Sequence, residues 1–227
     1  VGKTTTPRIL AKSLNCLDPK KNNCLNNMCD NCDQISESRH IDVLEMDAAS
    51  KTGVDDVRDL IEFSRYGPTS SKYKIFIIDE VHMLSKQAFN ALLKTLEEPP
   101  EYLKFIFATT EVSKIPITVL SRCQRFDLTR IGFDELLNFL KKVVSTEKKI
   151  LNEEILKLIV RISEGSVRDS LSLLDRILLS TDENGGKLDL KSAQEIFGYF
   201  DKSYLLDIIY ELLKGNEKKL DALHIHR

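Results

Sequence analysis

Three groups of residues in this chain have the types and spacing to do chemistry. The first is "GKT" at Gly2, Lys3 and Thr4, followed by Thr5. It matches the second half of a G-x-x-x-x-G-K-[ST] phosphate loop. In such a loop backbone N–H groups and a helix N-terminus cradle phosphates, the lysine reaches the β and γ oxygens, and the hydroxyl binds Mg²⁺. Alone, the tripeptide is equally an ordinary helix start. The second group is "KIFIIDE", which sets Asp79 and Glu80 directly after an apolar strand. There they emerge at the carboxyl edge of a parallel sheet, the usual ligand side. Asp79 is placed to help hold Mg²⁺, directly or through water, and Glu80 to polarise an attacking water. A solvated acidic pair is the plain alternative, and the upstream GKT favours the nucleotide reading.

The third group is Cys16, Cys24, Cys29 and Cys32, spaced C-x₇-C-x₄-C-x₂-C. Tetrahedral Zn²⁺ takes four thiolates at about 2.3 Å, and the closing C-x₂-C supplies two of them from one tight turn. With no open position such zinc would be structural, and the alternative is a set of free thiols. Cys123 stands apart as a small packing residue, and His224 and His226 are too isolated for a metal site.

The elements that must position these groups follow from patterning. At 227 residues and 42% hydrophobic the chain can fill real cores. Its 33 Lys and Arg against 35 Asp and Glu exclude a broadly basic nucleic-acid or membrane-surface binder. The sequence shows neither an apolar run of the roughly 20 residues a span needs nor a signal peptide, so the expected compartment is the cytoplasm. In a reducing cytoplasm clustered cysteines favour metal over disulfides.

Apolar runs at 43–47, 74–78 and 104–109 read as buried parallel strands. "GVDDVRDLIEF" and "SKQAFNALLKTLEEPP" are amphipathic helices, with Ser85 as cap and Pro99–Pro100 as stop. Alternating strands and helices give an α/β domain with a mostly parallel sheet. After about Arg130 the strand signals end. "FDELLNFLKKVV", "NEEILKLIVRI" and "VRDSLSLLDRILLS" form a helical domain, "STDENGGKLDLKS" is a linker or long turn, and a further helical unit begins beyond it. The expected domains are 1–130, carrying the 16–32 cysteine module, then 131–182, then 191–227. The loop "AASKTGVDD" leads into a helix N-terminus, where Lys51 and Thr52 add a charge and a hydroxyl suited to a backbone phosphate of DNA. A solvated helix cap explains them as well.

"IIDEVHMLSKQAFNALLKTLEEPP", "KFIFATTE", "TVLSRCQRF" and "GSVRDSLSLLD", together with the cysteine cluster, resemble the AAA+ ATPases that load sliding clamps. The match is specific to the gamma/tau subunit family of bacterial DNA polymerase III and runs from Val1 to at least Arg176. The resemblance implies an AAA+ P-loop NTPase core with a zinc-module insertion, a helical lid, and the start of a helical collar. It implies ATP, Mg²⁺ and Zn²⁺ as cofactors. Thr110 of "ATTE" maps to sensor 1, with Thr109 as neighbour. Arg122 of "SRC" maps to an arginine finger acting on the adjacent subunit's ATP, and Arg168 of "GSVRD" to sensor 2. A finger is useless to its own nucleotide, so an oligomer is implied. The implied partners are delta and delta-prime type subunits, further copies of the chain, the sliding clamp and primed DNA. A longer C-terminal region would reach polymerase and helicase. The implied activity is ATP-driven clamp loading at replication forks.

Two rivals remain open: a non-catalytic scaffold of the delta-prime kind, and another AAA+ motor such as a branch-migration helicase. Lys3, Thr4 and Glu80 argue against the first, the cysteine module and "SRC" against the second. Pro7 implies either a distorted first helical turn or an atypical copy. The front half of the phosphate loop and its strand would lie before residue 1. The isolated 227-residue chain is therefore expected to bind ATP poorly or not at all, and titration with a fluorescent ATP analogue checks this, tight binding being the contrary result.

Overall fold

A computed structural model describes residues 2–17, 24, 28–183, 189–198, 210, 213 and 214, without the side chains of 181–183. The chain divides into two compact units, Gly2–Leu128 and the residues from Thr129 onward.

The first unit is built on β2 (Lys74–Asp79), flanked by β1 (Val43–Asp47) and β3 (Leu103–Phe107) in a parallel sheet of order β1-β2-β3. Successive side chains of a strand point to opposite faces. In β2 both sets are apolar and both are buried. Ile75 and Ile77 pack with Ala11, Ile35 and Val43, so α1 (Thr5–Asn15) and α2 (Asp30–Ser36) cover one face. Phe76 and Ile78 pack with Val57, Leu60, Phe89 and Leu92, so α3 (Val54–Ser64) and α4 (Lys86–Glu97) cover the other. This is the three-layer arrangement expected of a continuous apolar strand. Ser85 caps α4 by accepting the Ala88 N–H, as its position suggested. A four-residue α5 (Ile117–Leu120) follows β3.

Three details go beyond the sequence reading. The strand expected at 104–109 stops at Phe107, because the Thr109 hydroxyl accepts the Glu111 N–H at 3.0 Å and turns the chain. Lys74, opening β2, is 1% exposed. Its Nζ donates to the carbonyls of Phe63 (2.8 Å) and Tyr66 (3.0 Å), finishing the last turn of α3. Pro7 stands in the first turn of α1. Thr6 N–H bonds the Gly2 carbonyl at 2.8 Å, Pro7 has no N–H to continue that series to the Lys3 carbonyl, and the regular helix starts at Thr5. The proline ring joins the buried stripe Pro7, Ala11, Asn15. Asn15 pins the far end of α1 to the approach of β2, donating to the Tyr73 carbonyl (2.8 Å) and accepting the Tyr73 N–H (3.0 Å).

The second unit is helical. α6 (Phe133–Thr146), α7 (Glu153–Ser163), α8 (Val167–Glu183) and α9 (Leu190–Phe197) surround a core that includes Leu136, Leu140, Ile155, Ile159, Leu174, Ile177 and Ala193. α8 continues to Glu183, into the segment read as linker, and α9 packs on the same core through Ala193. Apart from residues 191–198, 210, 213 and 214, the segment 191–227, with His224 and His226, lies outside the described residues. Among the described residues no helix is long and apolar enough to cross a membrane.

Two buried features give direct tests. Gly165 has φ +81°, and a Cβ there would stand 2.7 Å from the Ile131 carbonyl oxygen. Gly165→Ala should lower stability by about 2 kcal/mol or more in urea unfolding, through left-handed strain and this clash. Asp42, 1% exposed, accepts the N–H groups of Thr69, Ser70 and Ser71 and the hydroxyls of Ser70 and Ser71. Burial alone would raise its pKa, but these hydrogen bonds outweigh it and hold the pKa below the ordinary aspartate range. A depressed folded pKa stabilises above the unfolded value and stops doing so as pH falls through the folded one. Asp42→Ala should therefore cost about 2 to 3 kcal/mol at pH 7. The gap between the variant and the parent should narrow below about pH 4 in a pH series of melts.

Candidate nucleotide site and cysteine cluster

The ends of β2 and β3 and the start of α1 converge at the carboxyl edge of the sheet. Gly2 has φ +75°, a left-handed turn suited to glycine, and no side chain caps the α1 N-terminus. The next two residues face the end of β2. Thr4 Oγ1 donates to Asp79 Oδ2 at 2.6 Å, and Lys3 Nζ lies 3.3 Å from Glu80 Oε1. A hydroxyl beside a carboxylate is the kind of oxygen donor pair that a nucleotide-bound Mg²⁺ takes, so these residues fit that ion. Thr5 is the first, exposed residue of α1.

Glu80 adopts the left-handed conformation, φ 45° and ψ 43°, rare for a residue with a Cβ. The turn redirects its carboxylate across the sheet edge. Thr110 Oγ1 donates to Glu80 Oε2 at 3.3 Å. Lys3, Thr4, Asp79, Glu80 and Thr110, named from separate motifs, are thus brought together. Arg8 holds α1 in place through a two-pronged contact, Nε to Glu45 Oε2 at 2.8 Å and Nη2 to Glu45 Oε1 at 2.9 Å. That hydrogen bonding raises the Arg8 pKa despite partial burial, with Glu45 and Asp79 adding attraction.

The sequence reading missed two groups here. One is the Arg8–Glu45 link, which no local pattern announces because the partners are far apart in sequence. The other is His82, buried beside Glu80 and Thr109, whose signal was an ionisable residue two places after the paired carboxylates.

Other named residues stand elsewhere. Arg122 Nη2 pairs with Glu97 Oε1 at 2.6 Å, and Nη1 donates to the Thr118 carbonyl at 2.6 Å. Lys51 and Thr52 are exposed just before α3, which starts from Gly53 with no side-chain cap. Arg168 is exposed in the first turn of α8, and Glu164, four residues before it, binds Arg130 instead at 2.9 Å. Cys123 is half-buried against the core on the α3–α4 face, and burial raises its pKa.

The four clustered cysteines meet. The sulfurs of Cys16, Cys24, Cys29 and Cys32 all lie within 4.8 Å of one another. Cys16 and Cys24 are 3.2 Å apart, and Cys29 is 4.0 Å from each. Tetrahedral Zn–S bonds of about 2.3 Å require sulfurs roughly 3.8 Å apart, so the set fits one metal ion. Cys29 and Cys32 are pushed in opposite directions. For Cys29, burial is outweighed by hydrogen bonds from the backbone of Leu17 and Cys32 and from neighbouring thiols, leaving it at about 7. For Cys32, burial and its thiol neighbours all push upward. Thiols crowded so closely favour sharing a cation.

With this geometry established, comparison with known proteins is direct. The family model described as "DNA polymerase III, delta subunit" matches residues 1–132, more than half of the chain. DNA polymerase III subunit tau of Escherichia coli K12 is 41% identical over 224 residues, covering 98% of this chain and 34% of the relative. Subunit gamma of Buchnera aphidicola subsp. Schizaphis graminum is 41% identical, with 98% and 60% covered, and subunit tau of Bacillus subtilis 168 is 44% identical, with 90% and 36% covered. The chain therefore spans between about a third and three fifths of these relatives' length. Among solved structures, a single-residue variant of Thermotoga maritima RuvB superposes with TM-score 0.62 at 16% identity, covering 95% of this chain and 67% of that one. Domain III of T. maritima DnaA superposes with TM-score 0.53 at 19% identity, covering 74% and 75%. These likenesses establish an AAA+ fold. The chain belongs to the family described as DNA polymerase III, delta subunit, and is similar along nearly its whole length to the gamma/tau subunits of that polymerase.

Proposed function

We propose that the chain is the motor portion of a clamp-loader subunit, in which ATP binding and hydrolysis by an oligomer open a sliding clamp and release it on primed DNA. The observation that carries this reading is the meeting of Lys3, Thr4, Asp79, Glu80 and Thr110 at one sheet edge. A scaffold that had abandoned hydrolysis would have no use for that arrangement.

In this reading Gly2 and the α1 N-terminus receive the phosphates, and Lys3 exchanges Glu80 for the β and γ oxygens. Mg²⁺, when bound, offsets charge on the transferred phosphoryl. Thr4 and Asp79 hold it. Glu80 orients the attacking water, and Thr110 senses the γ-phosphate. Arg122 acts on a neighbouring subunit's nucleotide, which requires its guanidinium to leave Glu97. Arg168 is the sensor 2 of the lid. The cysteines hold structural Zn²⁺, which ties the end of α1 to the start of α2. Lys51 and Thr52 contact the DNA backbone without base reading, since no base-reading motif is present. The protein works in the cytoplasm with delta and delta-prime type subunits and further copies of itself. Polymerase and helicase contacts belong to a longer C-terminal region.

DNA-stimulated ATP turnover by the full-length chain with its partner subunits tests the assignment. Glu80→Gln should leave nucleotide binding intact and lower kcat by about 100-fold or more. Arg122→Ala should lower turnover of the oligomer by about 10³-fold, as for other arginine fingers. Normal turnover with Arg122→Ala removes the finger, and an intact protein that binds no nucleotide points to a scaffold. Metal analysis of the purified protein should find one zinc per chain. Cys29→Ser or a strong chelator should release it and lower the thermal midpoint while sparing the ATP-site residues.

A further inference from the structure

His82 lies on a 3₁₀ turn (Val81–Met83) immediately after the left-handed Glu80, and its side chain is 7% exposed. Its Nδ1 stands 3.0 Å from Thr109 Oγ1 and 3.4 Å from Glu80 Oε2. Its Nε2 faces Glu111 Oε1 at 3.7 Å. The Thr109 hydroxyl is itself fixed, since it accepts the Glu111 N–H at 3.0 Å. Beneath the ring, the Val81 N–H donates to the Ala108 carbonyl at 3.0 Å, so the turn after β2 is stitched by backbone to the end of β3.

We infer that His82 is a positioning residue that registers the Glu80 carboxylate against the Thr109–Thr110 turn that follows β3. This inference rests on the ATPase reading above. Glu80 is reached on one oxygen by Lys3 and on the other by Thr110 and His82. When a nucleotide takes Lys3 away, Thr110 and His82 are the remaining neighbours that set where Glu80 points. Thr110 is exposed enough to meet the phosphate itself, whereas the His82 side chain is 7% exposed and lies against Thr109 and Glu80. Its contribution is therefore to hold the glutamate, and through Thr109 to make that hold depend on the conformation of the turn bearing Thr110. A left-handed glutamate needs such support, because its backbone conformation is strained.

The atoms suggest the substitutions. Asn at this position retains a polar atom near Nδ1, Gln one near Nε2, and Ala neither. Turnover, ATP KM and nucleotide affinity are to be measured for the full-length protein with its partner subunits and DNA. His82→Ala should lower kcat about tenfold or more with affinity changed less than about twofold, the signature of misplacement without lost binding. His82→Asn should recover most of the loss, and His82→Gln should not. Thr109→Val, which removes the hydroxyl anchoring the ring, should lower kcat in the same way and serves if His82→Ala fails to fold.

Wild-type kcat in either His82→Ala or Thr109→Val overturns the inference. So does an equal loss of affinity and kcat, or an Asn variant as poor as Ala. If the parent protein turns over no ATP and Glu80→Gln changes nothing, the ATPase reading fails and this inference with it. Normal parent turnover with a silent His82→Ala sinks the inference alone.

Discussion

The burial of β2 on both faces constrains everything else in the first unit. Phe76 and Ile78 point into one layer, Ile75 and Ile77 into the other, and none of the four exceeds 1% exposure. A strand with no solvated face can place polar groups only at its ends. At the entrance Lys74 runs to the α3 carbonyls, and the neighbouring Asp42 collects the serine loop. At the exit come Asp79 and Glu80, held where α1 begins. The candidate site sits where the core ends.

That exit is assembled by three separate segments, and each is fixed by different means. α1 is held to the sheet by its buried stripe, by Asn15 at Tyr73 and by Arg8 at Glu45. The turn after β2 is tied to β3 by the Val81–Ala108 bond. The end of β3 is turned by Thr109 on Glu111. Strain at Glu80 is stored where this framework is tightest, as is common where geometry serves function. The cysteine cluster lies at the other end of α1, with Cys16 following that helix and Cys29 and Cys32 at the start of α2.

Much of this was legible in the residues. The period-free apolar run of β2, the caps and stops of α4 and the three amphipathic helices after Arg130 all appear where local pattern placed them. Local pattern failed where a side chain used a distant or unexpected partner. Thr109 closes the run read as strand, yet β3 stops at Phe107 and the Thr109 hydroxyl turns the chain. Lys74 falls in a run that reads as buried strand, and only its partners, the Phe63 and Tyr66 carbonyls, show how its charge is accommodated there. Pro7 lacks an N–H for the first turn of α1, and its ring packs inward.

What the sequence determined by itself is the set of layers and the identity of the reactive groups. Periodicity fixes which faces are buried, and residue type fixes which atoms can bind phosphate, metal or a proton. What only the tertiary structure decided is adjacency between residues far apart in the chain: Thr4 with Asp79, Lys3 with Glu80, Arg8 with Glu45, His82 with Thr109, and Arg122 with Glu97. Such pairings depend on how the helices seat on the sheet to within an ångström or so. That seating is set by the summed packing of the core, which no short stretch of sequence contains.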